Sequence, residues 1–201
     1  MAKNSSPGAS QASDPVCIYQ LHIELQDIAP AIWRRLLVPG GIKLATLHRV
    51  LQVALGWTDS HLHSFDIAGK KYGIPDPEWP EMKLVDERRA TLASCLTPSV
   101  KTFTYEYDFG DGWEHTIRVE STLPIDDARS YPLCVAGANA CPPEDVGGTP
   151  GYLEFVQAIT DPLHPEHADM LRWCGGAFDP RGFDLNSVNA ALRRLKIPSM
   201  R

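Results

Sequence analysis

Seven residues of this chain carry the side chains from which metal and acid–base sites are built: His61, His63, Asp108, Asp111, His115, Glu144 and Asp145. Imidazole nitrogens mixed with carboxylate oxygens suit Zn²⁺, Mn²⁺ or Fe²⁺. His61 and His63 are two apart, which sets both on one face of a strand. His115, from the apolar face of another strand, would add a third imidazole. The competing reading is structural. His63 and His115 would then be hydrogen-bonded core histidines, and Asp108 and Asp111 would shape a turn, where Asp and Gly are standard residues.

A second stretch presents carboxylates at a fixed place. In Cys141-Pro-Pro-Glu-Asp-Val-Gly-Gly148 the prolines stiffen the backbone, and Gly147 and Gly148 let it bend back. Glu144 and Asp145 are thereby held before a helix, either for a cation or proton transfer or as simple caps. The expected cleft lies between this bend and the turn near Asp111, lined by Tyr107, Trp113, Cys141, Gly147 and Gly148. Cys134 and Cys141 match neither a zinc knuckle nor a redox pair and read as buried thiols. Trp33, Arg34, Arg35, Arg49, Trp57 and Trp113 could stack and pair with nucleic acid, but they sit at positions that also serve packing. No GxSxG, Walker A, GxGxxG after a strand or HExxH occurs.

These groups need elements to hold them. Phe103, Tyr105, Tyr107 and Phe109 alternate with polar residues, and the alternation resumes at Trp113, His115, Ile117 and Val119. Period two with aromatics predicts a hairpin. A three-residue loop with Gly112 in the left-handed region would set Phe109 opposite Trp113, Tyr107 opposite His115 and Tyr105 opposite Ile117. Asp108 and Glu114 would then face away from the apolar side. Cys17 to Leu25 and Ile32 to Val38 alternate likewise and predict paired strands. Leu44 to Leu55 changes to helical period, with His48 and Arg49 expected partly solvated and Gly56 past its end. His61, His63, Phe65 and Ile67 share a strand face. Residues 73–90 read as a surface loop, Thr91–Leu96 as a short helix, and 121–149 as an irregular connection too long to be idle. Thr149 and Pro150 read as helix cap and first position. Two further helices are expected, one over Pro165–Trp173 and one over Leu185–Leu195, capped by Asp184. Strands, a helix, strands and then helices predict an α+β domain: an antiparallel or mixed sheet with helices mainly on one face.

Composition narrows the classes. The chain has 201 residues, 43% of them hydrophobic and 22% charged, enough for one core. Residues 1–15 read as a disordered tail and 16–201 as a single domain. The net charge of −6 disfavours a general phosphate-backbone binder. Five cysteines without CxxC, and no apolar run near the ~20 residues that span a bilayer, predict a reducing cytoplasm and no membrane association.

Several pieces carry a resemblance: Ile32-Trp-Arg-Arg-Leu36, Leu47-His48 with Gly56-Trp57, His61-Leu-His63 with Phe65, Tyr105 to His115, Cys141 to Gly148 with Gly151-Tyr152, and Phe178-Asp-Pro180 with Phe183-Asp184. From about Ile18 to Leu195 the chain resembles the plasmid pRiA4b ORF-3-like family, also labelled insertion-element passenger proteins of a "TnpR" type. The resemblance implies a small α+β fold and an association with mobile elements. It supplies no activity. The reading that results is an accessory binding module whose polar cleft holds a divalent metal, zinc or manganese, rather than an enzyme. The alternatives are a metal-dependent hydrolase or nuclease-like enzyme, and a DNA-associated passenger protein.

Overall fold

The computed structural model describes residues 17–78 and 80–197; the expected tail lies outside them. Strands β1 (Ile18–Leu25) and β2 (Trp33–Pro39) pair antiparallel. Helix α1 (Leu44–Leu55) follows and ends on Gly56, whose φ of 94° is the left-handed conformation expected there. Leu44, Leu47, Val50, Leu51, Ala54 and Leu55 of this helix are buried in the core. Each large side chain is worth roughly 1.5–3 kcal/mol of transfer free energy before entropy is counted.

Strands β3 (His63–Ile67), β4 (Lys70–Gly73) and β5 (Val85–Asp86) form one side of the sheet. After the short helix α2 (Leu92–Cys95) come β6 (Thr102–Tyr107), β7 (Trp113–Leu123) and β8 (Leu133–Ala138). The eight strands make one open sheet in the order β5-β4-β3-β6-β7-β1-β2-β8. All neighbours are antiparallel except β4 and β5. Helices α3 (Gly148–Thr160), α4 (His167–Trp173) and α5 (Leu185–Leu192) complete the α+β fold. α5 packs on β8 and α1, and α3 on α4.

The β6–β7 hairpin corrects the expected register. Tyr107 pairs with Trp113, Tyr105 with His115 and Phe103 with Ile117, so the loop is five residues, 108–112. The cause is local. Asp108 takes a φ of 56°, its Oδ1 accepts from Gly110 N–H at 3.0 Å, and its carbonyl accepts from Gly112 N–H. An aspartate that bonds its own backbone two residues on closes the turn earlier than Gly112 alone would. Because the slip is two residues, the faces survive: Tyr105, Tyr107, Trp113, His115 and Ile117 stay buried. Phe109 leaves the core and is 37% exposed, and Asp108 turns inward instead of away.

Other expectations also change. His48 is buried, while Arg49 is exposed. The connection after β7 contains β8, and the loop over 73–90 contains β5. Helix α3 begins at Gly148 with Gly147 as its cap, ahead of the Thr149 expected there. The last helix does begin on Asp184, whose side chain accepts from Asn186 N–H at 2.9 Å.

Candidate functional site

The loop after α1, residues 57–62, is stitched to the proline bend. Trp57 Nε1–H donates to the Pro142 carbonyl at 2.9 Å. Thr58 N–H and its hydroxyl donate to Glu144 Oε1 at 2.8 and 3.0 Å. Ser60 N–H donates to the Tyr107 hydroxyl at 3.0 Å, and that hydroxyl donates to Glu144 at 3.1 Å. Burial, together with Glu144 beside it, pushes the Tyr107 pKa up to about 12, so it stays a donor. The hairpin turn joins the same cluster. Gly147 N–H donates to Asp111 Oδ2 at 3.1 Å. A Cβ at Gly148 would stand 2.6 Å from the Asp111 carbonyl oxygen, and one at Gly151 only 2.0 Å from that of Val146. Glycine at 148 and 151 is what lets the bend close on the turn.

His61 Nε2 sits where these segments meet. It lies 3.1 Å from Asp145 Oδ1, 3.6 Å from Asp108 Oδ2 and 3.9 Å from Glu144 Oε2. The nitrogen is buried yet makes no hydrogen bond; the Asp108 and Glu144 oxygens lie too far from it. Ligands bound about 2.1 Å from one ion stand about 3.0 Å apart in an octahedron and 3.4 Å in a tetrahedron. The Asp145 distance lies between those edges, and those to Asp108 and Glu144 run a few tenths of an ångström longer. No lysine or arginine pairs with Asp108, Glu144 or Asp145 among the described residues. Asp108 is buried and Asp145 is 72% exposed, so the group opens to solvent on one side.

Two expected members are elsewhere. His63 lies under the sheet face with its ring stacked on His48, centroids 3.4 Å apart and planes within 1°. His63 Nε2 meets Glu87 Oε2 at 2.8 Å, both side chains almost wholly buried. Gln52 donates to the Tyr105 hydroxyl at 3.0 Å, so the tyrosine proton goes to His48 Nδ1, 2.8 Å away. His48 Nε2–H is then the donor to Asp59 Oδ1 at 2.6 Å. Burial, and then His63, lower the His48 pKa, while Asp59 opposes them. Two imidazolium rings at this separation would repel by about 5 kcal/mol at an effective dielectric of 20. The two rings are therefore not charged together, and Glu87 faces the His63 side of the stack.

His48, Asp59 and His63 also bring possible ligand atoms within 4.8 Å of one another. The stacking argues against an ion there. Imidazole lone pairs lie in the ring planes, and an ion bound to both rings would stand about 1.7 Å out of each plane, at a bond length of about 2.1 Å. His115, fully buried, joins neither group. Its Nδ1–H donates to the Tyr105 carbonyl at 3.2 Å, and its ring meets Trp57 edge-on. Burial pulls its pKa down to about 4. Of the three expected imidazoles, only His61 reaches the cleft.

Among the remaining expected residues, Asp111 is a tether, and Trp113 and Cys141 belong to the core. Burial lifts the Cys141 thiol to about 11. Arg34 is buried on backbone carbonyls, and Arg35 pairs with Glu120 and lies over the Trp33 ring. His48, Asp59 and Glu87 were not among the expected site residues. His48 carried a signal, since it falls on the same helical stripe as Leu44, Leu47 and Leu51. Glu87, inside the run Asp86-Glu-Arg-Arg89, carried none.

A family profile described as "Plasmid pRiA4b ORF-3-like protein" matches residues 17–187. The chain is 42% identical over 177 residues to "Uncharacterized protein y4hQ" of Sinorhizobium fredii (strain NBRC 101917 / NGR234), covering 87% of this chain and 90% of that one. It is also similar to the "Crystal Structure of Protein of Unknown Function MM3350 from Methanosarcina mazei Go1". That likeness has a TM-score of 0.78 and 37% identity, over 85% of this chain and 96% of the other. No described helix is long and apolar enough to cross a membrane. With the profile spanning most of the sequence and the fold shared, the chain belongs to the plasmid pRiA4b ORF-3-like family.

Proposed function

We propose that the protein is a cation-binding accessory module whose cleft holds one divalent metal through His61, Asp108, Glu144 and Asp145. The observation that carries this is His61 Nε2: a buried nitrogen without a hydrogen bond, facing three carboxylates that have no basic partner among the described residues. Three carboxylates beside a neutral imidazole carry three negative charges. A dication offsets two of them. An oxygen-rich set with one nitrogen favours Mn²⁺ or Fe²⁺, with Zn²⁺ next.

Elemental analysis and calorimetric titration of tag-free, chelator-treated protein test the proposal. One Mn²⁺ or Zn²⁺ per chain is expected, with binding lost in His61→Ala and in Asp145→Asn. A protein that binds neither ion, or binds both equally well after these changes, sinks the reading.

A second reading, a metal-dependent hydrolase, is favoured by one feature. Asp145 is largely solvent-exposed, so the group leaves one side of the ion free for a water molecule, as catalytic sites do. The family name ties the protein to plasmids by association, and a place in the cytoplasm as an element's accessory protein is proposed on that basis alone.

A further inference from the structure

Asp145 faces two ways. Its Oδ1 lies beside His61, and its side chain also walls a cavity of about 210 Å³ between α3 and α4. Phe155, Met170 and Trp173 supply the apolar wall, and Glu154 and Glu166 supply two further carboxylates. Among the described residues, no lysine, arginine or histidine lines the cavity. Neither Glu154 nor Glu166 is in an ion pair among the described residues. Trp173 is held edge-on by Phe155 at 5.6 Å and still exposes 48% of its surface.

Aromatic faces and carboxylates attract the same kind of ligand. The ring quadrupole draws a cation onto an indole, and carboxylates take charge-assisted hydrogen bonds from ammonium or guanidinium groups. An anionic ligand would be repelled, and a neutral one would leave the carboxylates unmatched. We propose that this cavity binds a small organic cation, a primary ammonium or guanidinium on a short apolar arm. The head sits among Asp145, Glu154 and Glu166, and the arm lies on Trp173 and Met170. The inference shares only Asp145 with the metal reading. A bound dication would not cancel the attraction, because five carboxylates against two positive charges still leave three negative ones.

The test titrates n-butylammonium, n-butylguanidinium and neutral n-butanol into the chelator-treated full-length chain. Indole N–H resonances report binding, with that of Trp173 assigned by its loss in Trp173→Phe. Both cations should shift this resonance with dissociation constants of about 1–10 mM, a reasonable range for ligands of so few heavy atoms. n-Butanol should bind about tenfold more weakly or worse. Glu154→Gln with Glu166→Gln, both at exposed positions, should weaken cation binding about tenfold while leaving the circular dichroism spectrum unchanged. His61→Ala should keep cation binding while removing the metal, so the two readings fail separately. Equal binding of n-butanol, no shift with any of the three, or unchanged affinity in the double variant overturns the proposal.

Discussion

The molecule contains two histidine–carboxylate groups, and they are opposites. Around His48 and His63 every side chain is matched: Asp59, Glu87, Tyr105 and Gln52 each meet a partner within 3.0 Å, and the rings stack. Around His61 the carboxylates take hydrogen bonds from Thr58, Tyr107 and Gly110, but the imidazole itself is unmatched. Its nitrogen faces three carboxylates and bonds to none. A polar group that satisfies itself in the interior holds the fold, because breaking it strands a buried charge. A polar group left unsatisfied beside solvent is free to bind something else. Residue type alone would rate the two alike.

Stability should separate them most sharply. Glu87→Ala leaves His63 without its buried partner and should cost about 3–5 kcal/mol in urea unfolding. His61→Ala in metal-free protein should cost under about 1 kcal/mol. Comparable losses for the two variants would erase the distinction.

Acid should act on the buried side. His115 is neutral in the fold, with its pKa drawn down to about 4 from 6.5 by burial. Its contribution is complete above pH 6.5. As pH falls from 6.5 toward 4 the unfolded chain takes up a proton that the native chain refuses, so stability drops, by about 3 kcal/mol in all. His48, lowered for the same main reason, acts in the same direction. His115→Leu should flatten this acid limb in unfolding measurements between pH 7 and 4, and an unchanged slope would mean that His115 is not the titrating group.

Metal should act on the open side. At a hundredfold excess over its dissociation constant, an ion stabilises the native state by about 2.7 kcal/mol, a thermal shift of roughly 5–10 °C for a domain of this size. The shift should vanish in His61→Ala and persist in His63→Gln. The reverse pattern would move the ion to the stacked pair. The smallest effect is expected at Asp111, which tethers the bend through Gly147 N–H. Asp111→Ala should cost about 1 kcal/mol and weaken metal binding severalfold without abolishing it, as read by calorimetry.

Much of this was legible beforehand, and the losses have definable causes. Helix α1 was readable to the residue because its apolar spacing and Gly56 agree. The hairpin faces were readable from period two, but its register was not, because Asp108 competes with Gly112 for control of the turn. The meeting of the Asp111 turn with the 141–148 bend followed from two stiff, polar, glycine-bearing segments. β8 was missed because Leu133-Cys-Val-Ala-Gly-Ala138 shows no alternation. Its Gly137 is small because Phe183 and Arg34 pack where a Cβ would go.

Sequence by itself determined the α+β class, the elements that carry His48, His63 and His115, and the two polar segments that converge, whereas His61 lies in the loop before the strand it was expected on. Periodicity does this because it says which face of an element is buried. Only the tertiary structure decided that His63 belongs to Glu87 and His48, that His115 stands apart, and that His61 alone meets Asp108, Glu144 and Asp145. Periodicity names a face and never the neighbour across it. Partners 15 to 84 residues apart are chosen by loop geometry and by which polar groups must be satisfied once water is gone.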